Sequence, residues 1–127
     1  MSEKVVLAKY IEHRPTVFDP HQILSYLDVL DKRLVKAEIN YDEVKDQVQA
    51  VFDYVVNEKL ENAKVSISLA KVQATNDERY KKVRSELSDK KKIYLLAKVE
   101  AKNGHSYCDH LKQQSINELA TEKLTRN

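Results

Sequence analysis

Two stretches of this chain space their apolar residues at alternating intervals of four and three, and no strand can present such a pattern on one face. In the first the series is Ile23, Leu27, Leu30, Leu34, Ala37, Tyr41, Val44, Val48, Val51 and Val55. In the second it is Tyr80, Val83, Leu87, Lys90, Tyr94, Ala97, Ala101, Gly104, Cys108 and Leu111. On an α-helix this alternation keeps a single narrow seam apolar, the pattern of coiled coils and helical hairpins. Val29, Val35, Phe52 and Val56 widen the first stripe, which predicts that the first helix is buried on two sides.

The middle of the second seam is small. Ala97, Ala101, Gly104 and Cys108 form a smooth strip that allows a close helix crossing, and Gly104 is the only glycine of the chain. Asn103-Gly104 also fits a break between two shorter helices, since glycine is common just past a helix end. The apolar phase is the same on both sides of Gly104, which favours one continuous helix. Leu30, Leu34, Tyr41, Val48, Val51, Ala97, Ala101, Gly104 and Cys108 are therefore the candidate residues for helix packing and self-assembly.

Composition agrees with an all-α chain. One Gly, two Pro, no Trp and 33% charged residues leave too few turn formers for a many-stranded sheet. A length of 127 residues suits one domain. Phe18-Asp19-Pro20-His21-Gln22-Ile23 reads as a helix start, with Asp19 as cap, Pro20 at the first helical position, Gln22 at the capping-box position, and Phe18 and Ile23 at the staple positions. The seam fails around 57–62, and Val65-Ser66-Ile67-Ser68-Leu69 marks an end or bend, after which a short helix or an extended piece reaches Thr75. Thr75 and Glu78 then have capping-box spacing for a second long helix.

The expected architecture is a long antiparallel, coiled-coil-like helical hairpin with an N-terminal arm, assembling into a helical oligomer. Its parts are an arm (1–17), a first helix (20–61), a connector (62–76) and a second helix (77–124). The apolar run 4–11 within the arm fits a strand, a helical turn or a docking segment equally well.

Charge is divided along the chain. Residues 1–63 carry 8 Lys+Arg against 12 Asp+Glu, whereas 64–127 carry 14 against 8. Such a division suits either a polyanion-binding face or complementary halves that pack on each other or on a neighbour. Lys81, Arg84, Lys91, Lys98, Lys102, His105 and Lys112 recur along one side of the second helix, and Lys82, Lys90 and Lys92 widen the band. A stripe of this kind neutralises successive phosphates of single-stranded nucleic acid without reading sequence. Tyr80, Tyr94 and Tyr107 are candidate stacking rings, although Tyr80 and Tyr94 also belong to the seam.

Chemistry of other kinds finds little support. His105, Cys108, Asp109 and His110 lack the second cluster that a structural zinc site needs. Cys108 lies on the seam, where a free thiol packs as a small apolar group. No glycine-rich phosphate loop is present. The expectation is a non-enzymatic protein without catalytic residues, metal or cofactor. Lacking an apolar leader or a bilayer-length apolar run, it is expected in the cytoplasm, with no membrane partner.

The segment Lys64-Val65-Ser66, then Asn76-Asp77-Glu78-Arg79-Tyr80, then a lysine-rich helix ending Leu111-Lys112-Gln113-Gln114-Ser115-Ile116-Asn117-Glu118, resembles the UvsY-type phage recombination mediators over residues 64–124. The resemblance implies a small all-helical phage protein that forms a homo-oligomeric ring and binds single-stranded DNA. It also implies partnership with a recombinase and a single-strand-binding protein. Where that family has basic residues before an aromatic pair, this chain has Gln49 and Val51 ahead of Phe52 and Tyr54. DNA contact is thereby left to Lys81, Lys82, Arg84, Lys90, Lys91, Lys92, Lys98, Lys102 and Lys112. The alternative function is a helical assembly or adaptor protein of a phage whose basic half meets an acidic partner surface.

Overall fold

The computed structural model describes residues 14–125, all-α with three helices: α1 (Pro20–Ala63), α2 (Ile67–Thr75) and α3 (Glu78–Thr125). The expected arm lies almost wholly outside the described residues. The described residues form two compact units, one joining those up to Val35 with those from Leu96, the other comprising Lys36–Leu95. In each unit α1 and α3 run antiparallel.

In the first unit α1 begins where its local signals place it. The Asp19 carboxylate accepts the His21 N–H at 3.0 Å, and the Asp19 carbonyl accepts the Ile23 N–H at 2.9 Å. The first contact satisfies a donor that a helix start otherwise leaves without a partner, and the second is the first i→i−4 bond of the helix. Ile23 is buried and clusters with Cys108 and Leu111 of α3, with Leu27 and Tyr107 packed against them. Phe18, the other staple residue, is exposed.

α3 runs without interruption through Gly104, so Asn103-Gly104 is not a break. A methyl group on Gly104 would overlap Cδ1 of Leu30 and lie 3.6 Å from the Tyr26 hydroxyl. Leu30 is only 2% exposed. The absent side chain is therefore what admits Leu30, and Ala97, Ala101 and Cys108 continue the buried strip on α3.

The second unit holds the turn between the long helices. α1 stops at Ala63, and Lys64 adopts φ 52°, the left-handed conformation that usually falls to Gly or Asn after a helix end. The Ser66 hydroxyl then accepts the Leu69 N–H at 3.2 Å and caps α2. The alternation over 65–69 is thus a helix entry rather than an extended run, and the connector folds mostly as helix. Ala70 and Ala74 of α2 are fully buried with Val55 and Val56, and Val51, Phe52, Leu60 and Val65 pack around them. α1 is covered by two neighbours here, as its widened stripe predicts. At Val35 the prediction fails, since that side chain is exposed.

The start of α3 differs from the expected Thr75–Glu78 capping box. Thr75 belongs to α2 and donates its hydroxyl to the Lys71 carbonyl at 2.9 Å. Asp77 is the cap, its carboxylate accepting the Arg79 N–H at 2.8 Å. Arg79 Nε also donates to Asp77 at 3.0 Å, while its terminal nitrogens reach Glu58 of α1 at 2.8 and 3.1 Å. Arginine geometry suits this arrangement, because the planar guanidinium engages two carboxylates through separate edges. Hydrogen bonding from the Arg79 side chain and backbone lowers Asp77 to a pKa of about 2.

The Gly104 contact fixes the sign of a substitution. In an exposed helix Gly→Ala stabilises by about 1 kcal/mol, whereas overfilling a packed site costs roughly 1–3 kcal/mol. Gly104→Ala is expected to lower stability in urea unfolding. In a double-mutant cycle with Leu30→Ala, the alanine at 104 is expected to be tolerated better than in the parent. Gly104→Ala stabilising the parent would refute the close contact.

Asp77 has a folded pKa below its ordinary 3.8, so its contribution to stability is present above about pH 4 and is lost as pH falls toward 2. Asp77→Asn is therefore expected to flatten the acid decline of the melting temperature over that window. A decline as steep as the parent's would show that other carboxylates cause it.

Candidate nucleic-acid interface

The seam decides where the basic residues of α3 can point. With Tyr80 and Val83 inside, Arg84, Lys91, Lys98, His105 and Lys112 recur every seven residues at the position beside the seam. Residues at that flank face the neighbouring helix's flank and solvent together. Lys90 is itself a seam residue and is half-buried, while Lys81, Lys82, Arg84, Lys91, Lys92, Lys98, Lys102 and Lys112 are exposed.

The first unit contains Lys98, Lys102 and Lys112, all exposed and without an ion pair among the described residues. His105 differs from them, because its Nε2 lies 3.0 Å from the Asp31 carboxylate of α1. Across the described residues of this unit, seven Lys and Arg face seven Asp and Glu.

The second unit contains Lys81, Lys82, Arg84 and Lys90–Lys92, with twelve Lys and Arg against eleven Asp and Glu. Lys81 lies 3.9 Å from Glu78. Lys82, Lys91 and Lys92 form no ion pair among the described residues. In the second unit an acidic part of the first half (36–63) meets a basic part of the second (64–95), while in the first unit both parts are balanced. The charge division along the sequence is consequently absent from either unit taken whole, and attraction for a polyanion rests on local groupings.

The three tyrosines proposed for stacking are engaged inside the protein. Tyr80 packs on Phe52 at 5.3 Å, and Tyr94 stacks on Tyr41 at 5.6 Å with rings 6° from parallel. Tyr107 donates its hydroxyl to the Pro15 carbonyl at 2.7 Å beneath the Arg14 guanidinium, which sits 4.6 Å from the ring centroid. Among the described tyrosines the exposed ring is Tyr54, 64% exposed, with Arg79 at 5.8 Å from its centroid. It borders an open groove of about 440 Å³ that also includes Lys82 and Val83. Sequence reasoning passed over Tyr54 because only its position outside the seam marks it.

Burial raises the Cys108 thiol above its ordinary range, with the Asp109 charge adding to the effect, so the thiolate is disfavoured. Among the described residues no group of three or more His, Cys, Asp or Glu side chains is placed to hold a metal ion. No described helix is long and apolar enough to cross a membrane. No family model, curated protein or solved structure matches the chain.

Exposed lysines without partners contribute little to folding, and surface substitutions of this type usually shift stability by at most about 0.5 kcal/mol. Lys91→Gln, Lys98→Gln and Lys102→Gln are each expected to unfold in urea within that margin of the parent. A larger loss in any of them would assign that lysine to an internal contact.

Proposed function

We propose that this protein is a non-enzymatic, oligomeric single-stranded DNA-binding accessory of recombination, acting through the basic flank of α3. The reading rests on one observation above all: Lys82, Lys91 and Lys92 in one unit and Lys98, Lys102 and Lys112 in the other are exposed and unpaired among the described residues. A flank of free ammonium groups suits a phosphate backbone, whose neutralisation releases counterions and gives salt-sensitive binding. Its partners on this reading include a recombinase and a single-strand-binding protein, as the resemblance to the UvsY-type mediators implies.

A second observation bears on assembly. Leu95, Leu96 and Val99 are exposed on one helix, at 46%, 37% and 53%. Apolar side chains left in water beside lysines favour a further protein contact. They also support the alternative reading, a helical assembly or adaptor protein whose lysines meet an acidic surface.

Titration of fluorescent oligo(dT) at about 50 and 200 mM salt separates the two. Binding that weakens steeply with salt is expected, and absence of binding at about 50 mM refutes the DNA reading. Reversing charge at Lys91, Lys98 and Lys102 together is expected to abolish binding with melting temperature and solution mass unchanged. Dissociation of the assembly would instead place those lysines in a subunit interface.

A further inference from the structure

Within the unit Lys36–Leu95, the register between α1 and α3 can be carried from one observed contact to the next. Lys59 of α1 and Asp77, the cap of α3, form a pair at 3.9 Å. Because the helices are antiparallel, one heptad down α1 and one heptad up α3 advance equally and return to the same flank. That step reaches Phe52 and Arg84. Both lie against the Tyr80 ring, Phe52 at 5.3 Å and the Arg84 guanidinium at 5.9 Å from its centroid.

A second heptad reaches Lys45 and Lys91. The Tyr41–Tyr94 stack fixes this level independently, since Lys45 is one turn from Tyr41 and Lys91 one turn from Tyr94, both toward the α2 end of the unit. Lys45 Nζ lies 4.9 Å from the Tyr41 ring centroid. Two lysines thus occupy facing flank positions, where helix pairs ordinarily place opposite charges.

The surrounding groups do not neutralise both. Lys45 lies 3.7 Å from Asp42 on its own helix, an exposed pair of small strength. Lys91 has no ion pair among the described residues, and Arg84 on the same line is also exposed. The flank ends at Glu38, one heptad beyond Lys45, and the cationic section is bounded there. Arg84 stands one heptad, about 10 Å, from Lys91 along α3.

We propose that Lys45 of α1 and Lys91 of α3, with Arg84 further along the same flank, form a phosphate clamp that holds the backbone of a single-stranded nucleic acid across the two helices. An anion seated between the lysines converts a like-charge repulsion into two charge-assisted contacts. The clamp rests on the single-stranded DNA reading above and adds a residue of the acidic first helix to it.

The full-length protein is tested with two probes, oligo(dT) and inorganic tripolyphosphate, the second carrying phosphates without bases. Both are expected to raise the melting temperature of the parent and of the control Lys36→Gln, because a ligand selective for the folded state stabilises it. Lys45→Gln and Lys91→Gln are each expected to lose at least half of that rise. For oligo(dT), each is expected to reduce the slope of log K against log salt by about 0.7 and to weaken binding about five-fold at 0.1 M salt. Lys45→Arg is expected to restore both, and unchanged helical circular dichroism excludes misfolding as the cause.

Wild-type slope and thermal shift in Lys45→Gln, alongside a loss in Lys91→Gln, would overturn the clamp and leave DNA binding to α3 alone. A tripolyphosphate shift that depends on both lysines, without any binding of oligo(dT), would support the clamp as an anion site and sink the DNA reading. A parent that responds to neither probe would overturn both.

Discussion

The contact between Gly104 and Leu30 limits what α3 can carry at the centre of its seam. A long helix with ordinary side chains along its seam would keep its neighbour at a distance set by those side chains. Here Ala97, Ala101, Gly104 and Cys108 shorten that distance in their unit, and Leu30 fills the space so created at 2% exposure. Large residues on α1 meet small ones on α3. Such complementarity replaces a wide core, which two helices alone cannot enclose.

The other unit solves the same problem by adding a third helix. Its seam is built from larger groups, with Tyr41 on Tyr94 and Phe52 on Tyr80, and α2 covers the end with Ala70 and Ala74 against Val55 and Val56. Arg79 ties this end together by holding Asp77, the cap of α3, and Glu58 of α1 at once. These groups are solvent-accessible, so their value lies in fixing geometry at the turn more than in raw Coulomb energy. Ile67, Leu69 and Val72 remain exposed on the outside of α2.

Charge follows from the same geometry. Once the seam positions are committed to packing, the seven-residue recurrence of Arg84, Lys91, Lys98, His105 and Lys112 places them at one flank of α3. What each then meets depends on the register of α1. His105 meets Asp31, whereas Lys91 forms no ion pair among the described residues. Equivalent positions in one periodic pattern thus divide into an internally paired residue and one without an ion pair among the described residues.

The sequence by itself determined the helical class, the two seams, the capped start of α1 at Asp19 and the continuity of α3 through Gly104, because these depend on periodicity and on neighbours within a few residues. The seven-residue recurrence of Arg84, Lys91, Lys98, His105 and Lys112 was equally local. Other features depended on residues remote in sequence. The Arg79 bridge between Asp77 and Glu58, the hydrogen bond of Tyr107 to the Pro15 carbonyl, and the enclosure of Ala70 and Ala74 against Val55 and Val56 all required the tertiary structure. The physical reason is that periodicity tells which face of a helix turns inward, whereas the partner that a side chain meets is set by the register between helices. Ala70 and Ala74 illustrate the point, being unremarkable in sequence and completely enclosed in the fold.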